Sequence, residues 1–310
     1  MLKFIFKRFM FMIPVIVGIS FIIFSIMALT PGDPARLILG ENASQSDVDQ
    51  LREEMGLNDN FVIRYISYMK DVLTGDFGTS YRTRIPVYDE VFARFPNTLV
   101  LAFWGISLSV LIGVPVGIIS AVKQYSIIDT VSLAAALILT SIPAFWLGLM
   151  LILLFSLKLD LLPSTGVDTW RNFVLPSVTL AAGTMATLIR MTRSTMLEVI
   201  RQDYIRTARS KGAAERTIIF KHALRNALLP VITIIGINFG FQLGGAMVIE
   251  TVFAMPGLGT LMITSVRMKD TPMVMASVLF VAVAISMVNL AVDILYSYVD
   301  PRIKSQYAKS

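Results

Sequence analysis

The first pattern in the chain is an uncharged apolar run from about Phe9 to Leu29, close to the roughly 20 residues that an α-helix needs to cross a bilayer. Five more apolar stretches follow, at about 98–122, 130–157, 176–190, 229–250 and 273–297. Together they predict six transmembrane helices. Pro115, Pro143 and Gly183 fall inside these stretches, which a lipid-embedded helix tolerates where neighbouring helices satisfy the freed backbone groups.

Between the first two stretches the period changes. "SDVDQLREEMG" predicts a helix capped by Ser46, with acids in its first turn and Gly56 as terminator. "NDNFVIRYISYMKDVLTGDFG" places Phe61, Tyr65, Ile66, Met69 and Leu73 on one helical face and ends at Gly75. Pro86 predicts the start of a further short helix that Pro96 stops. This segment is either a cap of surface helices over the outer mouth of a bundle or a solvated spacer. The expected division is a cytoplasmic start and first span over 1–29 and an external interfacial helical segment over 30–96. A core of five spans over 97–305, containing a cytoplasmic hairpin at 191–228, and a tail at 306–310 complete it.

Composition agrees with a membrane chain: 55% of the 310 residues are hydrophobic, 15% are charged, and the mean hydropathy is +0.71. The net charge of +6 needs no nucleic acid, because short cytoplasmic loops carry excess Lys and Arg. Lys3, Lys7, Arg8, Lys123, the strip from Arg190 to Arg225, and Arg302, Lys304 and Lys309 fall on one side. Lys158, Arg171, Arg267 and Lys269 fall on the other. Both termini are therefore expected in the cytoplasm. With no cysteine, disulfides and thiolate sites are excluded, and the lone histidine, His222, is expected on the solvated strip, so no metal site is expected.

The strip "DYIRTARSKGAAERTIIFKHALRNALLP" predicts a helical hairpin. One helix runs from Glu198 to Lys211 and stops at Gly212; a second starts at Ala213 and gathers Ala213, Thr217, Phe220 and Leu224 on one face, with Arg216, Lys221 and Arg225 elsewhere. A lipid-facing basic hairpin, a nucleic-acid patch and a helix docking on a cytoplasmic partner all fit; sparse aromatics disfavour nucleic acid. No G-x-x-x-x-G-K-[ST], H-E-x-x-H or G-x-S-x-G occurs, so the chain has no phosphate-cradling loop and no enzyme motif of these kinds. An ion-coupled carrier would need ionisable groups near the midplane. Asn238, Gln242, Asn289 and Asp293 are the candidates for a polar path, or they are structural hydrogen-bonders between helices. Pro256, Gly257 and Gly259 break any helix after Glu250, giving either a loop that dips into the bundle mouth or a tight turn.

"DYIRTARSKG" followed by "HALRNALLP", with "PGDP", "GDFGTSYRTRIPV", "RMTRSTMLEV", "ETVFAMPGLG" and "VDILYSYVDPR", resembles the permease subunits of binding-protein-dependent ABC importers of the dipeptide, oligopeptide, glutathione and nickel group. The resemblance implies an all-α type I ABC importer permease fold. It also implies a bacterial or archaeal plasma membrane, a second similar permease chain, two ATP-binding subunits that hold ATP and Mg, and an external solute-binding protein. No cofactor is expected on this chain. The family's Glu-Ala-Ala, three residues, Gly pattern falls on Arg206, Thr207, Ala208 and Gly212, of which Ala208 and Gly212 match. The implied ATPase-coupling element is these four residues with Ala213, Glu215 and Arg216, and the loop with Glu250, Pro256, Gly257 and Gly259 is implied to face the outer gate and the binding protein. The short loop "KLDLLPSTGVDTWRNFVLPS" is similar to the glutathione and oligopeptide types. Peptides are the expected cargo, with a nickel complex or an ion-coupled carrier as alternatives.

Overall fold

The computed structural model describes residues 2–30, 32–40 and 42–299. The tail at 306–310, Arg302, Lys304 and Lys309 lie outside the described residues, as does the side chain of Lys3. Among the described residues the regular structure is helical apart from a single bridge, Thr79 to Pro86, with turns and loops between the helices.

Five helices are long and apolar enough to cross a membrane, within Phe6–Leu29, Val87–Val122, Trp170–Ile200, Glu215–Gly244 and Thr271–Ile294. A bent pair, counted as one crossing, makes the sixth. The first is α1 (Leu2–Leu29), followed by an insertion that holds α2 (Pro34–Leu39), α3 (Gln45–Glu54) and α4 (Phe61–Leu73). Ser44, not Ser46, caps α3 by accepting from the Asp47 amide, while Gly56 takes the left-handed conformation (φ 62°) just past its end. On α4 the packed face is Phe61, Tyr65 and Tyr68, whose rings meet Phe21 and Phe24 of α1 at 5.2–6.0 Å. Ile66 and Leu73, expected on that face, are exposed. The aromatic rings determine the rotation of the helix, because they bury more surface and meet edge to face.

α5 (Val87–Val122) runs straight through Pro96, which does not end a short helix. Proline removes one backbone hydrogen bond. That loss is outweighed by burial on both sides: Val87 and Val91 pack with Leu258 and Met273, and Leu101 packs with Leu175, Ile249 and Phe253. The third crossing is not straight: α6 (Ile127–Ser141) and α7 (Ala144–Leu151), the latter extended by a π-helical stretch to Lys158, meet at 99°. Pro143 causes this by forcing Ile142 into extended backbone (ψ 123°).

α8 (Val174–Ile200) is the most buried crossing, and ten residues longer than the apolar run 176–190 at its basic end. Gly105, Ser109, Gly113 and Gly117 of α5, four residues apart, let the two backbones approach closely. A Cβ on Gly117 would fall 2.7 Å from Thr192 Cβ and 2.8 Å from the Ile189 carbonyl oxygen. The chain then forms α9 (Asp203–Ser210), α10 (Glu215–Thr217), a π-helical stretch Ile218–Ala223, α11 (Leu224–Val252), α12 (Leu258–Arg267) and α13 (Thr271–Val299). The bundle thus has a basic end, carrying α9, and an insertion end, carrying α2–α4 and α12.

Candidate functional site

At the basic end, α8 stops at Ile200 and Gln202 turns extended to cap α9, so the helix expected over Glu198 to Lys211 is two helices. Ile205 of α9 is fully buried among Met196, Ile218, Ala223 and Ala227, with Ala208 and Ala213 half-buried beside it. Gly212 has φ 78°, a left-handed conformation that costs a side-chain-bearing residue energy. Its amide donates to the Arg209 carbonyl at 2.9 Å, and the Ala213 amide donates to the Ala208 carbonyl at 3.2 Å. Arg209 forks onto Glu215 at 2.6 and 3.2 Å across this turn, and the hydrogen-bonded carboxylate raises the guanidinium above its ordinary pKa. Arg206, Thr207, Lys211 and Arg216 are exposed around the turn, Arg206 lying 3.7 Å from Asp203. The coupling candidates therefore form one rooted turn with a basic outer surface.

The second arm differs from expectation. Thr217 and Phe220 are exposed, while Ile218, Ala223 and Ala227 are buried. The π-helical stretch is responsible: its wider turn rotates the buried face away from the positions a 3.6-residue period selects. The arm also runs on through Pro230 into α11. His222, expected on the solvated strip, is half-buried.

Just inside the basic end lies a clasp that sequence reasoning missed. Arg193 of α8 donates to Asp129 of α6 at 2.6 and 2.8 Å, and Asp129, 3% exposed, also accepts from Ser120 Oγ at 2.5 Å and the Tyr125 amide at 2.9 Å. The local signal was Ser126, which caps α6 by accepting from the Asp129 amide. Its charge partner is 64 positions away in sequence.

At the insertion end, Glu250 is 1% exposed and accepts from Thr98 Oγ1 at 2.5 Å and the Thr260 amide at 2.9 Å. Thr98 Oγ1 in turn accepts from the Leu258 amide at 2.8 Å, and Asn97 donates to the Pro256 carbonyl at 2.9 Å. Pro256 and Gly257 fold back over the end of α11 around this carboxylate, and α12 starts at once: Gly259, expected to break any helix here, lies in its first turn, because Gly257 caps the helix and the Glu250 carboxylate accepts from the Thr260 amide. A Cβ on Gly257 would fall 2.1 Å from Glu250 Cδ, and one on Gly259 2.5 Å from Met247 Cα.

The four polar-path candidates are not brought together. Asn238 donates to the Ile234 carbonyl of its own helix at 2.8 Å. Gln242, 4% exposed, donates to Thr184 at 3.1 Å, fastening α11 to α8. Asp293 pairs with Arg8 at 3.0 Å, fastening α13 to α1, and Asn289 is exposed one turn away. A different polar surface runs along α8, where Gly183, Ser194 and Glu198 are exposed and Thr187 and Arg190 are half-buried. Hydropathy averages a whole helix, so it did not separate this face from the buried one.

Residues 113–305 match the family described as binding-protein-dependent transport system inner membrane component, and residues 1–102 match the N-terminal part of such membrane components. The chain belongs to this family of importer permeases. It is 41% identical to the dipeptide transport system permease protein DppB of Alkalihalophilus pseudofirmus, over 98% of this chain and 100% of that one. It is 40% identical to the glutathione transport system permease protein GsiC of Escherichia coli K12, over 98% and 99%. A chain of the MetNI methionine ABC transporter, solved in inward-facing form, superposes with a TM-score of 0.57 at 24% identity, covering 68% of this permease and 96% of that chain. That likeness establishes the fold. In the permease frame, the rooted turn and the buried-carboxylate loop stand at opposite ends of one helical run, Glu215 to Val252.

Proposed function

We propose that the permease forms half of the pathway of an ATP-driven importer for peptides, di- or oligopeptides or glutathione, delivered by an external solute-binding protein. A second, similar permease chain supplies the other half. Two ATP-binding subunits, which hold ATP and Mg, dock at the basic end, and both termini lie in the cytoplasm of a bacterial or archaeal cell bounded by this plasma membrane. The observation that carries the reading is the α9–Gly212 turn: Ile205, Ala208 and Ala213 root it in the bundle, while Arg206, Thr207, Lys211 and Arg216 face outward, free to meet an acidic cleft. The permease itself hydrolyses nothing. ATP acts through its tighter binding to the closed motor, shifting the permease between two states. The polar face of α8, unsuited to lipid, faces the pathway.

The test is uptake of labelled dipeptides, tripeptides, glutathione and nickel by cells lacking the chain or carrying Gly212→Val. Loss of one peptide class in both strains, with the variant present in the membrane at normal level and the purified complex no longer raising its ATPase rate with loaded binding protein, supports the proposal. Normal peptide uptake in both strains overturns the cargo assignment. Normal uptake in the variant alone overturns the coupling assignment.

A further inference from the structure

α4 has three distinct faces. One carries Phe61, Tyr65 and Tyr68 and packs on Phe21 and Phe24 of α1. A second is polar, with Arg64, Ser67 and Asp71 bordering a cavity of about 280 Å³. The third is uncovered and apolar over its first two turns: Val62, Ile63 and Ile66 are 55%, 59% and 60% exposed, and exposed Lys70, one turn beyond Ile66, carries a stem long enough to reach past them to water. Isoleucine and valine at adjacent positions on an amphipathic helix, opposite a polar face, are costly to leave in water.

The level at which α4 sits decides what covers that face. The Tyr65 hydroxyl donates to the Val17 carbonyl at 3.1 Å and lies 2.7 Å from Ser20 Oγ. Val17 is twelve residues before Leu29, about 18 Å along the axis of α1 at the helical rise. A hydrocarbon core is about 30 Å thick, so this contact falls well inside the apolar run and not above it. Phe21, which touches Phe61 and Tyr65, is still 45% exposed and is continuous along α1 with Ile22 and Ile26, 57% and 53% exposed. The bare face of α4 thus extends the outward apolar face of a membrane-crossing helix.

We propose that α4 is seated in the bilayer, with Val62, Ile63 and Ile66 against acyl chains while Ser67 and Asp71 stay in water. The insertion is then a second membrane anchor beside α1, not a cap held in water. The inference rests on the chain crossing a membrane and is independent of cargo.

Because the chain has no cysteine, each single-cysteine variant adds one label site to this chain, and the parent complex labelled in parallel gives the signal from any other subunit. Val62→Cys, Ile66→Cys and Ser67→Cys, each spin-labelled in the assembled complex in lipid nanodiscs, are compared for collision with oxygen, which concentrates in lipid, and with a water-soluble nickel chelate. The expected oxygen-to-nickel collision ratio is severalfold higher at positions 62 and 66 than at 67. Equal ratios at all three positions overturn the proposal by placing the face in water. Shielding of 62 and 66 from both reagents also overturns it, by showing a protein partner. A ratio raised at only one of positions 62 and 66 also overturns the proposal, because both side chains are seated in the same acyl layer.

Discussion

Thr98 Oγ1 is asked to do two things at once, donating to Glu250 and accepting from the Leu258 amide. Replacing it with valine keeps the shape and removes both bonds, leaving a buried carboxylate and a buried amide short of a partner. Each orphaned group costs about 1–3 kcal/mol. Thr98→Val should therefore lower the melting temperature of the detergent-purified complex by several degrees, whereas Thr98→Ser should stay near the parent. The Asp129–Arg193 pair gives a second expectation at this scale. Asp129→Ala strands the Arg193 guanidinium and should cost about 3–5 kcal/mol, while the double variant Asp129→Ala, Arg193→Met should recover much of the loss. A double variant no more stable than Asp129→Ala would show that the two side chains act through Ser120 and Tyr125 rather than on each other. Neither constellation was legible beforehand, and the reason is separation: Thr98 and Glu250 are 152 positions apart. A sequence shows that a Glu interrupts an apolar run; it does not show which hydroxyl from another helix reaches it.

Elements were more legible than contacts. All six crossings appear in the sequence as apolar runs, the third without its bend, because lipid demands continuous apolar length whatever the helix packs against. The ends were misjudged where packing overrode local signals. α8 continues ten residues past its apolar run because Arg193 is neutralised inside the bundle, and α5 ignores Pro96 because both of its halves are buried. The basic strip was legible as an exposed hairpin turning at Gly212, but the π-helical stretch that rotates its second arm has no signature in the apolar period. Two glycines in crossing helices show how element packing separates structure from transport. A leucine at Gly117 would collide with Thr192 and the Ile189 carbonyl, so Gly117→Leu should abolish recovery of folded protein. A Cβ on Gly183 meets nothing within 4 Å, so Gly183→Leu should leave recovery and melting unchanged while reducing uptake, because it narrows the face of α8 assigned to the pathway. Unchanged uptake with Gly183→Leu would remove that face from the pathway.

Over the whole molecule, α8 is the axis. α5 lies along it through the glycine row, α6 is tied to it by Asp129, and α11 is tied to it by Gln242 and Thr184. α1 and α13 are fastened to each other by Arg8 and Asp293. The insertion is stapled from the far side, where Asp270 accepts from Ser80 and, at 3.2 Å, from the Tyr81 amide. The helical run from Glu215 to Val252 then has a mechanical meaning. Thirty-eight residues at the helical rise make a rod of about 57 Å. Its near end is the Gly212 turn and its far end holds the Glu250 carboxylate. If such a rod turns about its near end by about 5°, its tip sweeps about 5 Å, so under the coupling proposed for the Gly212 turn a rotation of a few degrees is enough to displace Pro256 and Gly257 by more than the length of a hydrogen bond.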